Sequence, residues 1–295
     1  MLLAEALTVL NPQPGQCFVD CTLGAGGHSA ALLERIKPGG HLIGLDVDPE
    51  ALEIARARLE PLAGAAGVTL DITQANFRHL RSLIKDLRPH GILADLGVSS
   101  LQFDKPERGF SFRSDHPLDM RMDPTLTVTA ADILRDYSTE QLADTLFRLG
   151  EEHRSRAIAR AIVQARQREP IATTGQLAEL VLRALRVRGH RRIHPATKTF
   201  QALRLAVNGE LEALAALLAD APELLHDGGT LALITFHSLE DRLVKQRLKA
   251  LALTGRFQLA VRFVRPGAEE LRRNPRSRSA KLRALKHCAL SSTPG

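Results

Sequence analysis

No stretch of about 18 consecutive apolar residues occurs in the 295-residue chain, so a membrane-spanning helix is not expected. The opening MLLAEALTVL carries an acid and no basic cluster, which does not fit a secretory signal. Cysteine is scarce: Cys17, Cys21 and Cys288 are the full complement, and no CxxC pair provides zinc spacing. His190 and His194 stand four apart with no third ligand near them in sequence, so no metal is expected. So few cysteines suit a reducing cytoplasm in which all three thiols are structural or idle. Internal repeats and low-complexity tracts are also missing. What is there is 44% hydrophobic and 25% charged, the composition of a globular protein, at a length that allows one large domain or two ordinary ones.

The net charge of +7 is unevenly placed. Residues 242–295 hold 14 Lys/Arg against two acids, while residues 1–241 hold 26 against 31. A basic tail on an acidic body points to a polyanionic partner, since each neutralised phosphate releases counterions.

The first hundred residues alternate short apolar runs with helical patterns. QCFVDCT (16–22), HLIGLDVD (41–48), VTLDITQ (68–74) and GILADLGV (91–98) have the character of strands; HSAALLERI, PEALEIARARLEPL and FRHLRSLIKDL between them are helical. Such alternation predicts an α/β fold with a parallel sheet covered on both faces and a ligand at the strand carboxyl ends. From about 104 to 198 the strand pattern stops. TAADILRDY, TEQLADTLFRLG, SRAIARAIVQARQ and TTGQLAELVLRAL are amphipathic, with apolar residues three and four apart. One or two helices follow over KTFQALRLAVNGELEALAALLADAPELL, then an apolar strand, GGTLALITFH (228–237), and a helix through SLEDRLVKQRLKAL. FQLAVRFV (257–264) and SAKLRALKHCAL (279–290) alternate in twos, as a pair of sheet-edge strands would. The expected organisation is a discontinuous α/β domain, 1–103 with 199–295, interrupted by an all-helical domain, 104–198.

Gly24, Gly26 and Gly27 lie between the first strand and the first helix, where glycines let backbone N–H groups approach a ligand. The dinucleotide fingerprint G-x-G-x-x-G is not met. Asp20 ends the strand before the loop; a carboxylate there repels a pyrophosphate but suits the cationic amino group of a methionine moiety. Asp46 ends the second strand, where an acid can hold ribose hydroxyls. Together these features favour S-adenosyl-L-methionine over a nicotinamide dinucleotide, and an NAD-dependent oxidoreductase is the main enzymatic alternative. His28 either contacts the cofactor or caps the helix. Phe77 follows the third strand, where it either lies against an adenine or belongs to the core. Asp95, at the end of the fourth strand, is the candidate for the reacting centre and opens the polar run DLGVSSLQFDKPERGFSFRSDHPLDMRMDP.

The segments DCTLGAGGHS, GLDVDP, DLGVSS, ERGFSF, PLDMRMD, GEEHRSRAIARAI, HPATKTFQALRLAVNGEL and ITFHSLEDRLVK run in order over nearly the whole chain. In them the sequence resembles the RsmH (MraW) family, which methylates the exocyclic N4 of one cytidine in the decoding region of bacterial small-subunit (16S) ribosomal RNA. The resemblance implies a Rossmann-like class I S-adenosylmethionine-dependent methyltransferase sheet with an inserted helical substrate-recognition domain. It also implies that Gly26, Gly27, His28, Asp46, Phe77, Asp95 and Gln102 contact the cofactor, and that the partner is small-subunit ribosomal RNA or the 30S subunit. The chain departs from the family pattern at its start, where MLLAEAL stands in place of a His-x-Pro-Val-Leu-Leu segment, and in a short stretch after VKQRLKAL.

Methyl transfer from a sulfonium is an in-line displacement, so alignment and electrostatics dominate its catalysis. Asp95 is expected to accept hydrogen bonds from the cytosine amino group and favour its developing cation. DLGVSS lacks the prolines and aromatic of the Asp/Asn-Pro-Pro-aromatic motif, so a base-stacking partner must come from elsewhere; Phe103, Phe110 and Phe112 are available. Phosphate contacts are expected from RALRVRGHRRIHPATK (183–198) and RRNPRSRSAKLR (272–283). His237 either orients substrate or anchors the sheet. A catalytically silent RNA-binding factor with the same fold is the alternative outside enzymes, and a homodimer stays open, TFQALRLAVNGELEALAALL being apolar enough for a core or an interface.

Overall fold

A computed structural model describes residues 1–186 and 194–288. The chain divides into two compact units, Met1–Gly97 with Leu211–Gly295, and Val98–Glu210. Both boundaries differ from those expected. The sheet unit ends at Gly97 instead of residue 103, and the helix over 197–208 belongs to the helical unit because Phe200, Ala202, Leu203 and Val207 join that unit's core.

In the first unit the order is α1 (Leu3–Leu10), β1 (Cys17–Asp20), α2 (Gly27–Ile36), β2 (His41–Asp46), α3 (Pro49–Ala66), β3 (Thr69–Gln74), α4 (Leu80–Ile84) and β4 (Gly91–Asp95). The helical unit carries α5 (Ser100–Asp104), α6 (Ala130–Asp136), α7 (Thr139–Gly150), α8 (Ser155–Arg166), α9 (Thr174–Leu185) and α10 (Thr197–Asn208). The sheet resumes through α11 (Glu210–Leu224), β5 (Thr230–Thr235), α12 (Ser238–Ala252), β6 (Phe257–Val264), α13 (Ala268–Arg273) and β7 (Lys281–His287).

The seven strands run in the order β3-β2-β1-β4-β5-β7-β6. β1 to β5 are mutually parallel, and β7 is antiparallel to both β5 and β6. β7 therefore lies inside the sheet and only β6 is an edge on that side, which corrects the expected pair of edge strands. Two-residue alternation explains the two cores. On β5, Leu231 and Leu233 face one side with α4, α11 and α12, while Ala232 and Ile234 face the other with α1, α2 and α3. A strand buried on both faces reads as an unbroken apolar run, as TLALIT does.

α6, α7 and α9 each begin with a capping box, at Thr129, Ser138 and Thr173, where the cap side chain and the third helical residue satisfy each other's backbone N–H. The long apolar stretch after Lys198 is two helices, divided where Gly209 adopts a left-handed conformation. Six of its large apolar residues lie within the two cores: Phe200, Leu203 and Val207 in the helical unit, Leu214, Leu217 and Leu218 in the sheet unit. No described helix is long and apolar enough to cross a membrane. Cys17, Cys21 and Cys288 are free; burial pushes the Cys17 thiol up to about 11 and Cys21 higher still, which leaves both unreactive at neutral pH.

Candidate active site

Parallel pairing brings the carboxyl ends of β1, β2, β4 and β5 to one edge, and an acid closes three of these strands. Asp20 is 1% exposed. Its Oδ1 accepts the Thr22 N–H at 3.2 Å and its Oδ2 accepts the Ser29 hydroxyl at 2.8 Å, so this one carboxylate ties β1, the glycine loop and α2 together. Burial pushes its pKa up to about 6 in spite of those two donors. Asp46 accepts the Gly24 N–H at 2.7 Å and the Asp48 N–H at 3.0 Å, and burial raises it as well. Asp48, not Asp46, caps α3, accepting the Glu50 N–H at 3.2 Å.

Gly26 has φ of 75° and packs on Leu59: a Cβ there would lie 2.9 Å from Leu59 Cδ1. Gly24 is also left-handed, at φ 50°. Gly27 is exposed and has nothing within 4 Å of a Cβ position, so open space lies at the start of α2. His28 does not cap α2. Its Nε2 donates to the Met1 carbonyl at 2.9 Å, since a carbonyl can only accept, and Nδ1 lies 3.8 Å from Asp95 Oδ2. Burial lowers its pKa to about 4, so the ring is neutral at physiological pH.

The Asp95 N–H donates to Thr22 Oγ1 at 2.7 Å, which fixes the ends of β1 and β4 to each other. Its Oδ2 lies 3.4 Å from the Met1 amino group, whereas Oδ1 is buried with no hydrogen-bond partner. Burial raises the carboxyl to about 7; the Met1 ammonium opposes this, and Asp20 and Glu240 push it further up. Glu240 was not anticipated as part of this edge. It is 2% exposed and sits at the third position of α12, where its Oε2 accepts the Phe236 N–H at 2.9 Å. The signal was the His237-x-x-Glu240 spacing: His237 caps α12, its Nδ1 accepting the Glu240 N–H at 3.4 Å in a capping box. His237 thus anchors the helix that follows β5.

Phe77 opens a 3-10 turn after β3 and is half-buried against the core. Gln102 lies in α5 of the helical unit, 4% exposed, with its Oε1 accepting the Ser99 N–H at 3.0 Å. Of the candidate stacking residues, Phe110 is buried in the helical core, Phe112 stacks on His194 with centroids 4.5 Å apart, and Phe103 is 38% exposed. His190 and the middle of the 183–198 basic stretch (187–193) lie outside the described residues, as does the end of the last predicted strand (289–290).

Acids gathered at one edge, one of them with an unsatisfied buried oxygen, fit a cationic ligand and disfavour a pyrophosphate. The strand order, with its switch point between β1 and β4 and an antiparallel β7 between β5 and β6, and this acid-lined edge define a class I methyltransferase that uses S-adenosyl-L-methionine. The chain belongs to the MraW methylase family, whose model matches residues 1–288. It is 48% identical over 288 residues to ribosomal RNA small subunit methyltransferase H of Acidobacterium capsulatum, covering 96% of each chain. To the protein of the same name from Thermomicrobium roseum it is 50% identical over 308 residues, covering 98% of this chain and 93% of that one. A solved rRNA methylase from Streptococcus thermophilus aligns with 97% of this chain and 95% of that one at 13% identity and a TM-score of 0.43.

Proposed function

We propose that the protein methylates the exocyclic N4 of one cytidine in the decoding region of small-subunit ribosomal RNA. The relatives' names support the RNA class of substrate, and a ribosomal substrate supports a cytoplasmic location. The observation that carries the chemistry is the buried, unpartnered Oδ1 of Asp95 at the carboxyl end of β4.

A cytosine amino group is a weak nucleophile because its lone pair is delocalised into the ring. An ionised Asp95 accepting one of its N–H bonds draws electron density back onto nitrogen, stabilises the positive charge that develops there and takes up the proton that the methylated nitrogen gives up. When bound, S-adenosyl-L-methionine supplies an electrophilic methyl group on a cationic sulfur. Asp46, with lone pairs left beyond the Gly24 and Asp48 N–H groups, takes the ribose hydroxyls. Gly24, Gly26 and Gly27 let the backbone close on the cofactor, and Asp20 supplies negative potential for its ammonium and sulfonium groups from beneath the loop. His28, neutral and held by the Met1 carbonyl, borders the same space, and Phe77 would lie against the adenine.

Transfer of isotope from labelled S-adenosyl-L-methionine to small subunits, followed by mass mapping of the RNA, tests the reading. Label on one cytidine, retained on the free base as N4-methylcytosine, is expected. Label on a ribose or on C5, or no label in RNA at all, overturns it.

A further inference from the structure

The edge strand β6 presents Phe263 to solvent at 49% exposure. Two guanidinium groups lie over its ring, Arg265 with Cζ 5.6 Å from the centroid and Arg283 at 5.5 Å. Arg283 is a fixed wall: its Nε donates to Asp241 Oδ1 at 2.8 Å and a terminal nitrogen donates to the Arg262 carbonyl, while Lys281 holds Asp241 Oδ2 at 2.8 Å. Arg265 is exposed and has no ion-pair partner among the described residues. Beyond it, α13 and the 3-10 turn Pro275–Ser279 expose Arg272 and Arg278, which also have no ion-pair partner among the described residues.

This basic crown is fixed to the reacting edge within the same unit. Val264 pairs with Leu282, Leu282 with Ile234 and Ile234 with Asp95, so one cross-strand line joins them over three strand spacings, about 14 Å. A second tie runs from Glu270 Oε1, which accepts the Leu2 N–H at 2.8 Å, through the Met1 carbonyl to His28 beside Asp95.

A base must leave its stack to be methylated, and its extrusion strips a neighbouring base of its stacking partner. An exposed aromatic ring offers a replacement surface once Arg265, which no ion pair holds among the described residues, swings off its face, and arginines beside it engage phosphates without regard to sequence. We propose that Phe263 stacks on a base of the single-stranded segment adjoining the target nucleotide, with Arg272 and Arg278 on its phosphates. This inference rests on the RNA substrate proposed above and makes Phe263 a positioning residue.

The chain contains no tryptophan, so Phe263→Trp in the full-length protein installs a background-free fluorophore at the site. Its emission is expected to quench on titration with a single-stranded RNA carrying the methylated sequence. Phe263→Ala and Phe263→Leu should each raise KM for that RNA about tenfold, Phe263→Tyr should restore it, and kcat at saturating RNA and the affinity for S-adenosyl-L-methionine should hold. Paired Arg272→Glu and Arg278→Glu should flatten the dependence of log K on log salt by about 1.4. A wild type that methylates RNA while Phe263→Ala and Phe263→Leu keep KM within about twofold overturns the inference, as does an unquenched tryptophan. Loss confined to assembled subunits, with protein-free RNA unaffected, also overturns it and identifies an acidic protein as the occupant. Failure of the wild type to transfer methyl groups to RNA sinks the preceding section's reading instead, and the quenching still decides whether RNA stacks here.

Discussion

Asp95 carries a charge that its surroundings resist. With its carboxyl raised to about 7, the acceptor form that the proposed chemistry uses is filled only as pH climbs through that value, so kcat/KM should rise with pH to a plateau above it. Asp95→Asn should lower kcat by about 100-fold or more and abolish that acid limb. Stability has the opposite sign. A folded-state pKa above the ordinary carboxyl value of 3.8 means that the native protein binds the proton more tightly, a contribution present at low pH and lost as pH rises through about 7. The melting temperature of Asp95→Asn relative to wild type should therefore increase from pH 5 to pH 8. Gly26 and Gly27 offer a second contrast. Gly26→Ala meets Leu59 at a left-handed φ and should cost about 1–3 kcal/mol of stability. Gly27→Ala, in open space at a helix start, should leave the melting temperature near wild type and weaken S-adenosyl-L-methionine binding by calorimetry. Asp20, Asp46 and Asp95 were legible in the sequence because acids follow apolar runs there. Glu240 was not, because its inclusion depends on which way α12 leaves β5.

Elements at the reacting edge are joined by few bonds, each one weighty. Ser29 on α2 and Thr22 after β1 are the two donors to the buried Asp20. Ser29→Ala leaves Oδ2 without its donor in a site water does not reach, which should cost about 1–3 kcal/mol in denaturant unfolding and raise the Asp20 pKa further. At this scale the strands announced themselves through doubly buried runs such as TLALIT, and α6 to α9 through apolar spacing, with Ser or Thr caps at α6, α7 and α9. α1 escaped notice. It has only eight residues, a left-handed Leu2 where a polar cap would stand, and an exposed Leu3 that blurs its buried stripe of Ala6 and Leu10. β7 was seen as a strand and misplaced in the sheet, since alternation reveals which face a residue takes but not which strand it will pair with.

Across the molecule, two hydrophobic cores sandwich the sheet and a third fills Val98–Glu210. Calorimetric unfolding should accordingly show two transitions, and residues 98–210 expressed alone should be helical by circular dichroism and melt cooperatively. S-adenosyl-L-methionine at about 100 times its Kd should stabilise the sheet unit's transition by about 2.7 kcal/mol. The interruption itself was visible as a change of period, whereas its limits at Gly97 and Glu210 depend on which core α10 joins.

β7 has a consequence for biosynthesis. It is the last described strand in chain order, yet it lies between β5 and β6, so during translation β5 waits without its outer neighbour until residue 287 clears the ribosomal tunnel. The helical unit, complete by residue 210, can mature long before then. The nascent enzyme therefore gains this sheet, and with it the Lys281–Asp241–Arg283 clamp, only after residue 287 has emerged.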